Sequence, residues 1–292
     1  VYNHTSSESR GVENYSTALE DYKASDYEKA YQEFGKVPSG STLKPSALFR
    51  QARCATNMGK NELAIKKYNR IVRNGSKSSI APISEYNMAN LMFDSNDKDA
   101  KKHFKKIIKK YPTSDYAIAS EYYLGMIEIS NQPKSPKRLA KSQEKAINYF
   151  KNYIEKAPDG RFALKSIEEI IKLDKSLSNY DNLLIAKGYY ANGEFEKSIE
   201  ALIKANELNS EDVGNWYWLG ISYNKSKQYK EAIESFNKTI ELEPENDNHY
   251  YWLGNTYYKI CDYEEAIKYL SKAIEINQNS SINYKWLGMA YY

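Results

Sequence analysis

The chain has 292 residues, 41% hydrophobic and 27% charged, which is enough apolar material to bury a core in one large or two ordinary domains. Mean hydropathy is −0.76 and no run of about 18 apolar residues occurs, which excludes a spanning helix; two cysteines, Cys54 and Cys261, exclude a disulfide-dense scaffold and a multi-cysteine metal site. The net charge of +4 is uneven: residues 179–292 carry 11 Lys and Arg against 17 Asp and Glu, so the front is basic and the back acidic.

Only 8 prolines and 13 glycines occur, too few for a turn-rich β chain, while 28 tyrosines against 8 phenylalanines suit half-buried surfaces. The chain opens at Val1 with no signal peptide and reads as a mature or excised piece of something longer. Residues 1–10 are expected to be disordered or extended. From residue 11 a spacing recurs in which a small residue precedes a ring by four, placing both on one helix face. It appears as Ala30 and Phe34 after Tyr27, as Ala64 and Tyr68 after Gly59, as Ala100 and Phe104 before Pro112, and as Ala146 and Phe150 before Pro158. Helical hairpins follow at 11–44, 45–80, 81–114 and 115–160, the last carrying a Pro- and Lys-rich insertion at 131–143 where Pro133 and Pro136 break the helix. One helix at 162–173 then leads to a break at 175–180, where a divergent segment, 11–174, gives way to a regular one.

Lys101, Lys102, Lys105, Lys106, Lys109 and Lys110 crowd one helix of the front segment, with Phe104, Ile107 and Ile108 as its core face. Lys134, Lys137, Arg138, Lys141 and Lys145 add charge in the insertion. Such a face is either plainly solvated or meets an anionic surface such as lipid head groups or an acidic protein. Nucleic acid is the weaker partner, because no recognised binding motif accompanies the charge.

A strict period of 34 governs the back segment. Trp218, Trp252 and Trp286 keep it, as do Leu219, Leu253 and Leu287, Gly220, Gly254 and Gly288, and Tyr223, Tyr257 and Tyr291. Glycine inside a helix costs about 1 kcal/mol against alanine. Its return at one phase therefore calls for close approach of a partner helix, and Ala232 and Ala266 are expected to face Gly220 and Gly254. The units are 179–212, 213–246, 247–280 and a truncated 281–292.

The string Trp216-x-x-Leu219-Gly220-x-x-Tyr223, then Tyr229-x-x-Ala232-x-x-x-Phe236 and Pro244, resembles the tetratricopeptide repeat. The next unit departs from that pattern, with Leu270 where the aromatic is usual and Gln278 where proline is usual. The stretch Tyr111-Pro112-Thr113-Ser114-Asp115-Tyr116, with Leu124-Gly125, is similar to repeats of bacterial envelope proteins of the outer-membrane assembly lipoprotein and Tol-Pal coordinator type. It favours a periplasmic or envelope setting over the cytoplasm. The resemblance implies an all-α fold: a right-handed superhelical solenoid of stacked antiparallel helix pairs with a concave groove. It also implies that the groove is lined by one face of each first helix. Here that face carries Lys187, Tyr217, Ile221, Asn224, Lys225, Asn248, Tyr251, Asn255, Tyr258, Lys259 and Lys285, a mixture of rings, amides and ammoniums suited to a peptide. A subset of the family grips a C-terminal carboxylate with Lys and Asn. Tyr217 and Tyr251 stand where its first lysine belongs and only Asn255 matches, so that clamp is not expected.

No Gly-rich phosphate loop, metalloprotease His pair or nucleophile elbow occurs, and His4, His103 and His249 are scattered. No catalytic residue, metal or cofactor is expected, and both cysteines read as buried or half-buried thiols. The expected function is a non-catalytic scaffold or adaptor that binds a protein or peptide segment in the groove within a larger assembly. The alternative is a self-assembling subunit of a membrane-associated bacterial complex, its basic front on an anionic surface.

Overall fold

A computed structural model describes residues 2–74, 78–131 and 133–292. Residues 75–77, at the end of the second expected hairpin, and Gln132, within the expected insertion, lie outside the described residues. All regular structure among the described residues is helical, and it divides into two compact units, Val1–Tyr149 and Phe150–Tyr292.

The first unit contains α1 (Tyr2–Lys23), α2 (Tyr27–Lys36), α3 (Lys44–Asn57), α4 (Asn61–Asn74), α5 (Ala81–Asp94), α6 (Ala100–Lys110), α7 (Asp115–Ser130) and the start of α8 (Pro136–Lys156). Helix α1 begins at Tyr2, in place of the disordered or extended start expected for 1–10. The expected break at Pro133 and Pro136 is the joint between α7 and α8, with Pro136 in the first turn of α8, where its missing N–H costs nothing. The second unit contains the end of α8, then α9 (Ala163–Leu173), α10 (Asn179–Ala191), α11 (Phe195–Leu208), α12 (Val213–Lys225), α13 (Tyr229–Leu242), α14 (Asp247–Lys259), α15 (Tyr263–Ile276) and α16 (Ser281–Tyr291). The compact division falls inside α8. The cause is packing: α9 touches α10, and Ile154 of α8 and Ile167 of α9 both reach the Gly188 backbone of α10.

Within each unit helices pack on their chain neighbours, α1 to α7 in succession and α10 to α16 in succession. First helices of adjacent hairpins also touch, as in α10 with α12, α12 with α14 and α14 with α16. That nearest-neighbour pattern is the packing of a helical solenoid. The small-then-large pairs read from the sequence form its core, and Ser198 with Leu202 of α11 adds one more at the same phase. Ala30, Ala64, Ala100, Ala146, Ser198, Ala232 and Ala266 are at most 1% exposed, and Phe34, Tyr68, Phe104, Phe150, Leu202, Phe236 and Leu270 at most 2%.

Six turns inside the hairpins share one geometry. A residue in the left-handed region closes each, at Ser25, Gly59, Asn96, Gly193, Lys227 and Cys261, with φ from 57° to 77°. The following N–H bonds back to the carbonyl five residues earlier, as in Glu194 to Tyr189, Gln228 to Tyr223 and Asp262 to Tyr257, at 2.9–3.0 Å. Glycine takes that conformation freely, which explains Gly59 and Gly193. Cys261 therefore sits on an exposed turn rather than buried, while Cys54 is fully buried and burial pushes its thiol up to about 11.

Gly220 and Gly254 are close contacts: Gly220 meets Phe236 in place of the expected Ala232, while Gly254 meets the expected Ala266 through its backbone together with Leu270. A Cβ on Gly220 would lie 2.6–2.8 Å from three carbons of the Phe236 ring, and one on Gly254 would lie 2.8 Å from Leu270 Cγ and 3.2 Å from the Ala266 carbonyl oxygen. The large residue one turn beyond the alanine fills the space that the missing side chain leaves. Gly288 has no atom within 4 Å of that position.

Candidate docking face

The residues expected to line a groove lie on α10, α12, α14 and α16, all in the second unit. The structure divides them into two groups. Asn224, Tyr251 and Asn255 are buried, at 1%, 8% and 2% exposure, and Ile221 is buried with them. The cause is the contact between successive first helices, which this face supplies. Asn224 donates from Nδ2 to Thr256 Oγ1 at 2.7 Å, and Thr256 in turn donates to the Trp252 carbonyl at 2.7 Å. The Tyr217 hydroxyl accepts from Asn248 Nδ2 at 2.8 Å and from Trp252 Nε1 at 3.1 Å. Tyr251 packs edge-on against Trp252. These groups join α12 to α14 before any partner arrives.

Lys225, Asn248 and Lys259 are exposed, and Lys187 and Tyr258 half-buried. Lys187 sets its ammonium 5.4 Å from the centre of the Trp218 ring, and Tyr258 packs edge-on against Trp286 at 5.4 Å. Lys259 donates to Asn224 Oδ1. Partial burial there, and then the nearby charge of Lys225, hold the Lys259 ammonium below the usual lysine range. Neither Lys225 nor Lys259 meets a carboxylate in an ion pair among the described residues. Lys225 and Lys259 are thus two exposed cations near enough for one to disfavour the charge of the other, with Lys259 bonded to Asn224.

The aromatic and polar partners Trp218, Trp252 and Thr256 did not enter the sequence-based set. A further set also escaped it. Asp181, Asn215, His249 and Asn283 keep the period of 34 and are 0–6% exposed. Each bonds to the loop or helix start beside it: Asp181 to Ser178, Asn215 to the Asn209 carbonyl at 3.3 Å, His249 to Glu243 at 3.2 Å and Asn283 to Asp247 at 3.0 Å. The same 34-step comparison that finds the glycines would have found these.

In the first unit the lysine face of α6 is partly spent on internal pairs. Lys101 pairs with Glu128 of α7 at 2.6 Å, and Lys106 with the fully buried Glu85 of α5 at 2.7 Å, where His103 Nδ1 also approaches to 3.2 Å. Burial alone would raise the Glu85 carboxyl; the hydrogen bonds from His103 and Lys106 outweigh it and hold it below the usual carboxylate range. Lys102, Lys105, Lys109 and Lys110 remain as the exposed part of the expected patch. No group of three or more metal-ligating side chains occurs among the described residues, and no helix there is long and apolar enough to cross a membrane.

Comparisons with known proteins bear on this geometry. Models described as TPR repeat and tetratricopeptide repeat match residues 220–260 and 248–280, and a further tetratricopeptide repeat model matches 46–75 and 84–114. Residues 163–239 match the model of subunit 3 of the anaphase-promoting complex, or cyclosome. None of these models describes an enzyme. No curated protein matches the chain significantly. Solved structures similar to it include YrrB, described as a TPR protein with an unusual peptide-binding site, at 17% identity over 75% of this chain and 96% of that one, with a TM-score of 0.41. MamA is similar at 23% identity over 65% and 95%, TM-score 0.38. The TPR2AB domain of yeast Sti1, solved as a pHSP90 complex, is similar at 17% identity over 97% and 99%, TM-score 0.36. The family matches show tetratricopeptide repeats at residues 46–75, 84–114 and 220–280, and the repeated hairpins and small-then-large cores recur outside those stretches.

Proposed function

We propose that this chain is a protein-interaction scaffold whose second unit docks an acidic segment of a partner protein across α12 and α14. Tetratricopeptide repeats generally mediate protein–protein interaction, and the matching families supply no catalytic role. The observation that carries the finer reading is that Lys259, bonded to Asn224, and the nearby Lys225 are exposed without a carboxylate partner among the described residues. Two uncompensated ammoniums repel, and a carboxylate brought between them relieves that repulsion while gaining charge-assisted hydrogen bonds. Tyr258, Lys187 and Asn248 extend the same surface. Tyr251 and Asn255 support it from below and do not touch the partner.

The test is fluorescence anisotropy of labelled peptides carrying spaced Glu and Tyr residues, against Gln-for-Glu controls, on the parent and on Lys225→Gln with Lys259→Gln. The acidic peptides bind the parent, and the double variant weakens them about tenfold, the loss of roughly 1.4 kcal/mol. Equal affinity in the double variant, or binding that ignores the glutamates, refutes this face. The envelope setting implied by residues 111–125 is a separate proposal, checked by fractionating cells that express the chain from its own gene.

A further inference from the structure

A cleft of about 600 Å³ lies between α11 and α13, floored by Trp216, Leu219 and Tyr223 of α12. It is formed by other side chains than those of the α12–α14 face. Three features set its chemistry. The first is apolar: the floor carries two aromatic rings, and Ile203 on the rim is 42% exposed. The second is charge: Glu207, Glu231 and Glu234 line it against a single cation, Lys238, whose ammonium is already held by Glu241 at 2.8 Å. The third is an unpaired amide: both polar atoms of Asn206, Nδ2 and Oδ1, are shut off from solvent without a hydrogen-bond partner. An amide left so costs about 1–3 kcal/mol.

We propose that this cleft is a second docking site, and that its occupant is a cationic segment of a partner protein, with a lysine or arginine side chain against the Trp216 and Tyr223 rings and its charge among Glu207, Glu231 and Glu234. A ring face attracts a cation, and Trp is the strongest of the aromatic partners. Carboxylates around an apolar floor accept an amphipathic cation, whose aliphatic stem covers the rings while its head meets the acids. Tyr223 reports the negative field: burial first, then the charges of Glu231 and Glu234, hold its phenol above the ordinary value. An anionic partner is excluded by the same three carboxylates, so the two faces of the second unit select opposite charges.

The experiment uses the full chain and a short fluorescein-labelled peptide of alternating Lys and Leu, with a matched Glu and Leu peptide as control. The variants are Glu231→Gln with Glu234→Gln, both exposed positions, and Ile203→Glu on the rim. The Lys-Leu peptide binds the parent, and binding weakens about tenfold in the double glutamine variant and on raising salt. Ile203→Glu also weakens it by removing apolar contact, and Lys225→Gln with Lys259→Gln leaves it unchanged. The proposal is overturned if the double glutamine variant, with parental circular dichroism and melting, binds as the parent does. It is equally overturned if the Glu-Leu peptide binds as well, or if the Lys-Leu peptide does not bind the parent.

Discussion

Replacing each in-phase glycine by alanine separates close packing from helix propensity, because the three sites share a sequence context and differ in their neighbours. Alanine gains about 1 kcal/mol over glycine in a helix interior wherever its methyl fits. At Gly220 the methyl would stand 2.6 Å from Phe236 Cε1 and 2.8 Å from Cδ1 and Cζ. That ring is fully buried and stacks on Trp252 at 6.1 Å, so it has no free volume to retreat into. Overpacking of this kind costs about 1–3 kcal/mol, and the balance for Gly220→Ala is a loss of up to about 2 kcal/mol. At Gly254 two backbone atoms, Ala266 O and Leu270 N, stand at 3.2 Å beside Leu270 Cγ at 2.8 Å. Backbone yields less than a side chain, so Gly254→Ala is the more damaging of the two. At Gly288 nothing lies within 4 Å, and Gly288→Ala stabilises α16 by up to about 1 kcal/mol. Urea unfolding followed by circular dichroism and tryptophan fluorescence measures the midpoints, which remain meaningful where a repeat array departs from two-state behaviour. A midpoint at or above the parent's for Gly220→Ala or Gly254→Ala, or a lowered one for Gly288→Ala, refutes the reasoning.

Four other outcomes follow from the same structure. Burial holds His249 below its ordinary value of 6.5 despite Glu243, so the unfolded chain takes up the proton first and stability falls as pH drops below 6.5; His249→Asn, which copies Asn215 and Asn283, removes that dependence in melts between pH 7 and 5. Glu85, held below its ordinary value of 4.5, gives stability that is present above 4.5 and lost as pH falls through its lower folded value; Glu85→Gln costs about 1–3 kcal/mol at pH 7 and flattens the acid limb of the stability curve. Asn224→Ala breaks the bridge to Thr256 and Lys259 and costs about 1–2 kcal/mol, read as faster amide exchange in α14. Lys227→Gly, at φ 64°, relieves a left-handed turn and raises the melting temperature, by about 0.5–1 kcal/mol of stability.

The helical class, the hairpin phase and the alternation of small and large core residues were legible from the sequence because each rests on local periodicity. Ala232 and Phe236 announce a helix face by their spacing alone, and the structure buries both. Which residue meets Gly220 was not legible at that level. Its neighbour is set by how far the second helix slides along the first, and sequence phase does not report that displacement. The docking face was legible only in part for a related reason. The candidates on α12 and α14 share one helical stripe, but the next first helix covers part of that stripe. Asn224 and Tyr251 fall under the covered part, while Lys225 and Lys259 emerge beside it.

The buried polar positions carry the strongest argument about how these repeats keep their register. Asp181, Asn215, His249 and Asn283 occupy one phase, and a hydropathy pattern reads them as surface. Asp181, Asn215 and His249 close the junction before their own helices, while Asn283 bonds Asp247 at the start of the preceding first helix. The requirement at this phase is therefore a hydrogen-bonding group of modest size, which Asp, Asn and His all satisfy, and not one residue type. Such a position fixes where each first helix starts relative to the preceding loop. A hairpin slipped by one residue would bury these groups unpaired, at about 1–3 kcal/mol for each. A one-residue slip would also turn the buried Ala and Phe stripe by about 100° away from the core, so polar junctions and apolar packing select the same register. His249 is the member whose charged form burial disfavours, while its contact with Glu243 partly offsets that cost, so acid sensitivity at this phase falls on the repeat that begins with α14.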